Sequence, residues 1–138
     1  MPGKKVQWGI LGTANIAKKV GGAIKTAGNA ELIAVASRSH KRATQWAKNN
    51  QIDRAYGSYD ELLEDPQINA VYIPLPPSMH AEWTIKAADQ GKHILCEKPL
   101  SVTVNEAVAM SHACKANQVQ LMDGVMWVHH DRTSKMLE

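Results

Sequence analysis

Residues 8–17 read WGILGTANIA, and this stretch decides the predicted fold. Gly12, Ala14 and Ala17 keep the spacing of the G-x-G-x-x-G motif, between an apolar run and an amphipathic stretch. Free backbone N–H groups and the positive end of a helix dipole converge at such a turn and bind a pyrophosphate. Alanine at the second motif position is a departure that moves the phosphates slightly or shifts the turn. The placement favours a dinucleotide site, and a strand–turn–helix that only packs is the alternative.

Short apolar runs alternate with helical stretches along the rest of the chain, as βαβ units require. The predicted fold is α/β and Rossmann-type: a doubly wound, mostly parallel sheet with helices on both faces. The predicted strands cover residues 6–11, 32–37, a short piece at Tyr56, 70–73, 93–96 and 119–125. The predicted helices cover about 15–27, 40–49, 58–66, 79–90 and 104–116, with N-terminal caps at Ser58 and Thr103.

The bulk properties are those of an ordinary cytoplasmic domain, with 44% hydrophobic residues and a net charge of +3. Nucleic acid is not an expected partner, because Lys and Arg form no long run and aromatic residues are few. A membrane is not expected either, since no apolar stretch reaches about 18 residues. Cys96 and Cys114 form no CxxC motif and are expected to stay reduced. His129, His130 and Asp131 are adjacent and cannot face one centre, so no metal is expected.

The end of the second predicted strand selects the cofactor. NAD enzymes usually place Asp or Glu there, on the ribose 2′-hydroxyl. Residues 37–42 read SRSHKR, which offers no acid and three fixed cations. Arg38 suits fork-shaped hydrogen bonds to a 2′-phosphate, with Ser37 or Ser39 as small donors. This pattern favours NADP over NAD, and a solvated helix start with surface cations is the alternative.

A second candidate site is the tripeptide Glu97-Lys98-Pro99, which follows the predicted strand at 93–96. The carboxyl end of a parallel strand is the edge where open α/β sheets bind ligands. Pro99 fixes a sharp bend and is a candidate for a cis peptide bond. A cation at Lys98 would stabilise an alkoxide that develops as hydride leaves. The alternative is a surface lysine paired with Glu97.

Three segments together, WGILGTANIA at 8–17, AVYIPLPPSMHAEW at 70–83 and GKHILCEKPL at 91–100, resemble the glucose–fructose oxidoreductase / inositol dehydrogenase / MocA family. The resemblance is greatest to its dihydrodiol and NADP-dependent xylose dehydrogenases. It implies hydride exchange between a nicotinamide and a hydroxyl or carbonyl carbon of a sugar, polyol or cyclic diol. It also implies a Rossmann domain, here at 1–125, with residues 126–138 beginning the crossover into a C-terminal substrate domain missing from a truncated chain.

The resemblance further implies a role for each motif residue. Lys98 would be catalytic, hydrogen-bonding the reacting oxygen and orienting the nicotinamide, with Glu97 at the nicotinamide end of the cofactor site. Two departures affect this comparison: Pro77 replaces an Asn common in relatives, and residues 126–132 lack an Arg and a Pro often seen there. The remaining implied cofactor-binding residues are Gly12, Thr13, Ala14, Asn15 and Ile16 at the pyrophosphate, Ser37, Arg38 and Arg42 at the adenosine ribose, and Leu75, Pro76 and His80 in the loop against the dinucleotide.

Several alternatives remain open at this point. A short-chain dehydrogenase needs a Tyr-x-x-x-Lys pair, which none of the three tyrosines forms. His80 is as consistent with a buried packing residue as with a functional one. A standalone NADP-binding module without catalysis is the alternative function, since the 138-residue chain alone is expected to bind cofactor without turnover. Homo-oligomer formation is also open, because relatives commonly dimerise through the second domain.

Overall fold

The computed structural model describes residues 3–124 and 135–136. The predicted end of the last strand at Val125 and most of the predicted crossover segment at 126–138 lie outside the described residues. The adjacent histidines and aspartate weighed as metal ligands lie outside them too.

Six parallel strands form one sheet within residues 3–124. The strands are β1 (Val6–Leu11), β2 (Ala30–Ala36), β3 (Arg54–Tyr56), β4 (Ala70–Ile73), β5 (His93–Cys96) and β6 (Leu121–Asp123). Their spatial order is β3-β2-β1-β4-β5-β6, so the direction of winding reverses between β1 and β4. That reversal creates a crevice outside the carboxyl ends of the strands, where open α/β sheets bind ligands. The predicted doubly wound, Rossmann-type fold is confirmed.

Helices cover both faces of the sheet. They are α1 (Asn15–Thr26), α2 (His40–Asn49), α3 (Tyr59–Glu64), α4 (His80–Asp89) and α5 (Val104–Ala116). Successive residues of a strand point to opposite faces. Ile10 of β1 accordingly packs in one core with Ala17 of α1 and Ala47 of α2. Leu11, the next residue, packs in the second core with Leu62 of α3 and with side chains of α4 and α5.

Local hydrogen bonds explain where several helices begin. The Ser58 hydroxyl accepts from the N–H of Glu61 at 3.2 Å, and the Thr103 hydroxyl accepts from the N–H of Glu106 at 3.1 Å. Both predicted N-terminal caps are therefore confirmed. The helix expected from Met79 begins one residue later, because the N–H of Met79 bonds to the Pro76 carbonyl at 2.9 Å and closes a 3₁₀ turn.

Two other boundaries differ from the prediction. Ala27 is extended, so α1 ends before Gly28, the residue expected to end it. β6 begins at Leu121 rather than at 119, because the N–H of Val119 bonds to the Cys114 carbonyl at 3.0 Å. That N–H completes the C-terminal end of α5, so it is lost to the strand ladder.

The apolar face predicted for α5 is only partly buried. Met110 and Cys114 lie in the core, whereas Val104 and Val108 are 78% and 47% exposed. Helical spacing shows which residues share a face, but the neighbouring helix decides which face is covered. In this chain α5 packs on α4 and leaves its two valines outside that contact.

Candidate cofactor site

The turn after β1 has the geometry expected of a phosphate-binding loop. Gly12 has a φ of +108°, a backbone conformation that favours glycine. Its N–H bonds to the Ala36 carbonyl at 2.8 Å, which fixes the turn beside the end of β2. A Cβ on Gly12 would lie 3.1 Å from Cδ2 of Leu75. The structure thus brings together the β1 turn and the loop after β4, two segments that the sequence predicted would line one site.

The N-terminal end of α1 is open. Ala14 occupies the N-cap position in an extended conformation, and no side chain caps the helix. Its first turn contains no acidic residue, and Ala14 and Asn15 are exposed. The first N–H groups of a helix need external acceptors. This end of α1 therefore offers unfilled donors and a positive dipole to an anion, which fits a diphosphate.

The end of β2 offers cations and hydroxyl groups. Ser37 is buried, and its Oγ accepts from the N–H of Ser39 at 3.3 Å. Arg38 and Arg42 are exposed, and neither guanidinium forms an ion pair with another described residue. Residues 36–42 contain no carboxylate. A 2′-phosphate placed here would meet free arginines and no acidic group from its own loop.

His80 lies beneath the site rather than in it. The ring is fully buried, with Nε2 2.6 Å from the Leu75 carbonyl oxygen and Nδ1 2.8 Å from the Pro99 carbonyl oxygen. One imidazole thus connects the loop after β4 with the loop after β5. Of the predicted residues in the first of these loops, Pro76 is exposed and Leu75 is 8% exposed. The structural interpretation of His80 that the sequence left open is the one its surroundings support.

The Glu97-Lys98-Pro99 segment continues β5 to the carboxyl edge. The Glu97 N–H bonds to the Ile73 carbonyl at 3.1 Å, and the Lys98–Pro99 peptide bond is cis. Lys98 is exposed, and no described residue forms an ion pair with it. Glu97 accepts a short hydrogen bond from the phenol of Tyr72 instead of pairing with Lys98. The ammonium group of Lys98 is therefore available to a ligand.

Two cationic and thiol groups near this segment have structural roles. Lys92 is buried at the opposite end of β5 and donates to the carbonyls of Asp65 and Ile68 at 2.7 and 2.8 Å. Burial lowers the pKa of its ammonium group. Cys96 is fully buried, and burial raises the pKa of its thiol to about 12, so it is no nucleophile at neutral pH.

Sequence reasoning missed two residues of the site. Tyr72 is fully buried in β4, and burial together with the Glu97 carboxylate raises the pKa of its phenol far above the ordinary value. Gly124 leaves room for that carboxylate, since a Cβ there would lie 3.0 Å from Oε1 of Glu97. The available signal was a tyrosine inside an apolar strand, because a buried phenol must find a hydrogen-bond partner.

The described residues place limits on other kinds of site. None of their helices combines the length and apolar character needed to cross a bilayer. No group of three or more potential metal ligands occurs among them.

A sequence model of the oxidoreductase family with an NAD-binding Rossmann fold (GFO_IDH_MocA) matches residues 6–125. The chain belongs to this family. A curated relative, D-xylose 1-dehydrogenase (NADP(+)) 2 of Haloferax volcanii, is 43% identical over 96% of this chain and 41% of its own length. Trans-1,2-dihydrobenzene-1,2-diol dehydrogenase of Danio rerio is 35% identical over 87% of this chain and 36% of its own length. The resemblance inferred from the three motifs is confirmed.

Solved structures agree with the family assignment. The 3-ketoreductase of Actinomadura kijaniata in complex with TDP-benzene and NADP superposes with a TM-score of 0.90 at 32% identity. The superposition covers 96% of this chain and 42% of the ketoreductase. The chain thus spans about two fifths of the length of the proteins it matches.

Proposed function

We propose that the chain is the cofactor-binding part of a longer NADP-dependent oxidoreductase. The complete protein would transfer hydride between nicotinamide and a hydroxyl or carbonyl carbon of a sugar, polyol or cyclic diol. One observation carries the proposal: an uncapped α1 N-terminus and an arginine-bearing β2 end lie at the same edge of the sheet. The names of the H. volcanii relative and the A. kijaniata complex, which both include NADP, support the choice of cofactor.

The cofactor would lie across the carboxyl ends of β2, β1, β4 and β5. Its pyrophosphate would meet residues 12–16, and the 2′-phosphate would meet Ser37, Arg38 and Arg42. Leu75 and Pro76 would border the dinucleotide, while His80 would act through the loops it holds. Glu97 and Lys98 would lie at the nicotinamide end.

Lys98 is the residue of this chain proposed to act on the substrate. Bound NADP supplies the carbon that gives or takes the hydride. The Lys98 ammonium donates a hydrogen bond to the substrate oxygen and stabilises the negative charge that develops there. Its exposure and its lack of a described carboxylate partner leave these protons free for that contact.

The organisation proposed for the complete protein follows from its relatives. Residues 1–125 would form the dinucleotide-binding domain, and residues 126–138 would lead into a C-terminal domain that supplies the substrate pocket. We propose a cytoplasmic location, which suits the two reduced, buried cysteines. The standalone NADP-binding module remains the competing proposal, and reading the gene beyond Glu138 separates the two.

Fluorescence titration of the 138-residue chain with NADPH and with NADH tests the cofactor assignment. The chain is expected to prefer NADPH. Arg38→Ala is expected to weaken NADPH binding by about 10- to 100-fold, the worth of hydrogen bonds to a charged group. NADH binding should stay unchanged. Lys48→Ala removes an exposed charge from the last turn of the same helix, α2, and is expected to change neither affinity. Equal affinity for the two cofactors in the unaltered chain would overturn the assignment.

A further inference from the structure

The side chains of Tyr72 and Glu97 meet because of the strand register. Tyr72 of β4 lies opposite Leu95 of β5 in the parallel ladder. Glu97 is two residues beyond Leu95, so it belongs to the same face of the sheet as Leu95 and Tyr72. From that position the phenol of Tyr72 reaches across the strand pair and donates to Oε2 of Glu97.

The carboxylate of Glu97 is confined from a second side. A Cβ built on Gly124 would lie 3.0 Å from Oε1 and 3.1 Å from Oε2 of Glu97. The N–H of Gly124 bonds to the Cys96 carbonyl at 2.8 Å, so this backbone is itself fixed beside β5. The carboxylate therefore lies between a buried phenol and the backbone that follows β6.

One carboxylate oxygen remains for a ligand. Among the described residues no donor bonds to Oε1 of Glu97, and the side chain is only half-buried. It borders a cavity of about 280 Å³ that is also lined by Leu95, Met122 and Asp123. An N–H donor of a bound ligand, such as the carboxamide of a nicotinamide, has the chemistry that this oxygen accepts.

We propose that Tyr72 is a positioning residue, whose buried phenol holds the Glu97 carboxylate in the orientation that binds the nicotinamide end of the cofactor. The inference rests on the proposed function, because it assumes that a nicotinamide lies beside Glu97. The raised pKa of Tyr72 keeps its proton in place at physiological pH, so the phenol acts as a constant donor.

Calorimetric titration with two probes tests the role of Tyr72. NADPH occupies the whole cofactor site, whereas 2′,5′-ADP lacks the nicotinamide half. Tyr72→Phe in the 138-residue chain is expected to weaken NADPH binding by about tenfold, the worth of one hydrogen bond to a charged group. Its affinity for 2′,5′-ADP should stay unchanged, because the adenosine end of the site is not altered.

Tyr56→Phe is the matched control. The Tyr56 phenol donates to Asp65 at 2.7 Å, a tyrosine–carboxylate contact that precedes β4 at the opposite edge of the sheet. This variant is expected to lower Tm while leaving both affinities unchanged. Gly124→Ala provides a second test that leaves the core tyrosine intact. Its Cβ must displace the Glu97 carboxylate, so it should also weaken NADPH and spare 2′,5′-ADP.

The outcomes separate the two proposals. If the unaltered chain binds neither probe, the proposed function fails. If it binds both probes, but Tyr72→Phe and Gly124→Ala bind NADPH as tightly as it does, the positioning role of Tyr72 is overturned and the proposed function stands. An equal loss of both probes in Tyr72→Phe would show a general structural effect and would also overturn the role.

Discussion

Nε2 of His80 lies 2.6 Å from the main-chain carbonyl oxygen of Leu75. The other ring nitrogen lies 2.8 Å from the carbonyl oxygen of Pro99, so one buried ring connects the loops that follow β4 and β5. A neutral imidazole has a single N–H and donates to one of these loops at a time, whereas a doubly protonated ring donates to both. The relative position of Leu75 and the Lys98 segment thus depends on a side chain that is itself inaccessible.

His80→Leu keeps an apolar side chain in the buried site but removes both polar contacts. It is expected to destabilise the chain by about 1–3 kcal/mol, because a carbonyl oxygen is left buried without a donor. NADPH affinity should fall as well, since both loops border the proposed site. Urea unfolding and NADPH titration measure the two effects.

His93→Ala serves as the control for that substitution. His93 is exposed in β5, and its Nδ1 accepts one hydrogen bond from the N–H of Gln120 at 3.0 Å. Exposed hydrogen bonds contribute little, so a loss below about 1 kcal/mol is expected. The clamp role of His80 would be wrong if the two histidine variants lost equal stability.

The adjacent glycines of α1 offer a test of helix–sheet packing. A Cβ on Gly22 would meet nothing within 4 Å, so Gly22→Ala is expected to stabilise the chain by about 0.5–1 kcal/mol through helix propensity. A Cβ on Gly21 would lie 3.2 Å from Leu32 and 3.4 Å from Ile10. Gly21→Ala is therefore expected to lose that gain to crowding. Thermal unfolding of the pair gives the measurement, and a higher Tm for Gly21→Ala would contradict the packing described here.

Most of the fold could be predicted because it depends on local patterns. Apolar runs, helical spacing and the caps at Ser58 and Thr103 each act over a few residues. The end of α1 and the start of β6 were misplaced because single backbone contacts decide them, as at Val119. The exposure of Val104 could not be predicted, since it depends on which helix packs beside α5.

The site was predictable where a motif carries it and not where register does. The turn at Gly12 and the arginine at 38 follow from spacing along the chain. Tyr72 meets Glu97 across 25 residues only because β4 and β5 pair in one register. For the same reason, sequence alone could not decide between a buried and a functional His80, whose partners come from two separate loops.

Acid stability is expected to depend on Asp65. Burial alone would raise the pKa of this carboxyl, but hydrogen bonds from Tyr56, the Gln67 N–H and Arg54 hold it below its ordinary value. Because the folded-state pKa is the lower one, Asp65 stabilises the fold fully above the unfolded-state pKa of about 4. This contribution is lost as the pH falls through the folded-state value.

Asp65→Asn removes that pH dependence. The Tm difference between the unaltered chain and this variant is expected to be largest near neutral pH and to shrink steadily below about pH 4. Asp53→Asn changes an exposed carboxylate and should follow the unaltered chain throughout. A Tm difference for Asp65→Asn that stays constant down to about pH 2 would refute the assignment of this acid-sensitive cluster.

Lys98 provides the test that separates binding from chemistry. In the complete protein, Lys98→Ala is expected to lower kcat by about 10²- to 10⁴-fold, the usual contribution of a group that stabilises developing charge or assists proton transfer. NADPH affinity should change little, because the diphosphate and 2′-phosphate contacts come from the α1 and β2 ends. Lys115→Ala, a charge removal in the last turn of α5, should leave both quantities unchanged. Steady-state kinetics alongside NADPH titration gives both values, and full turnover in Lys98→Ala would exclude the assigned role. If NADPH binding were lost together with turnover, Lys98 would instead be a cofactor ligand, because only a group that acts on the reacting oxygen alters kcat while sparing the cofactor.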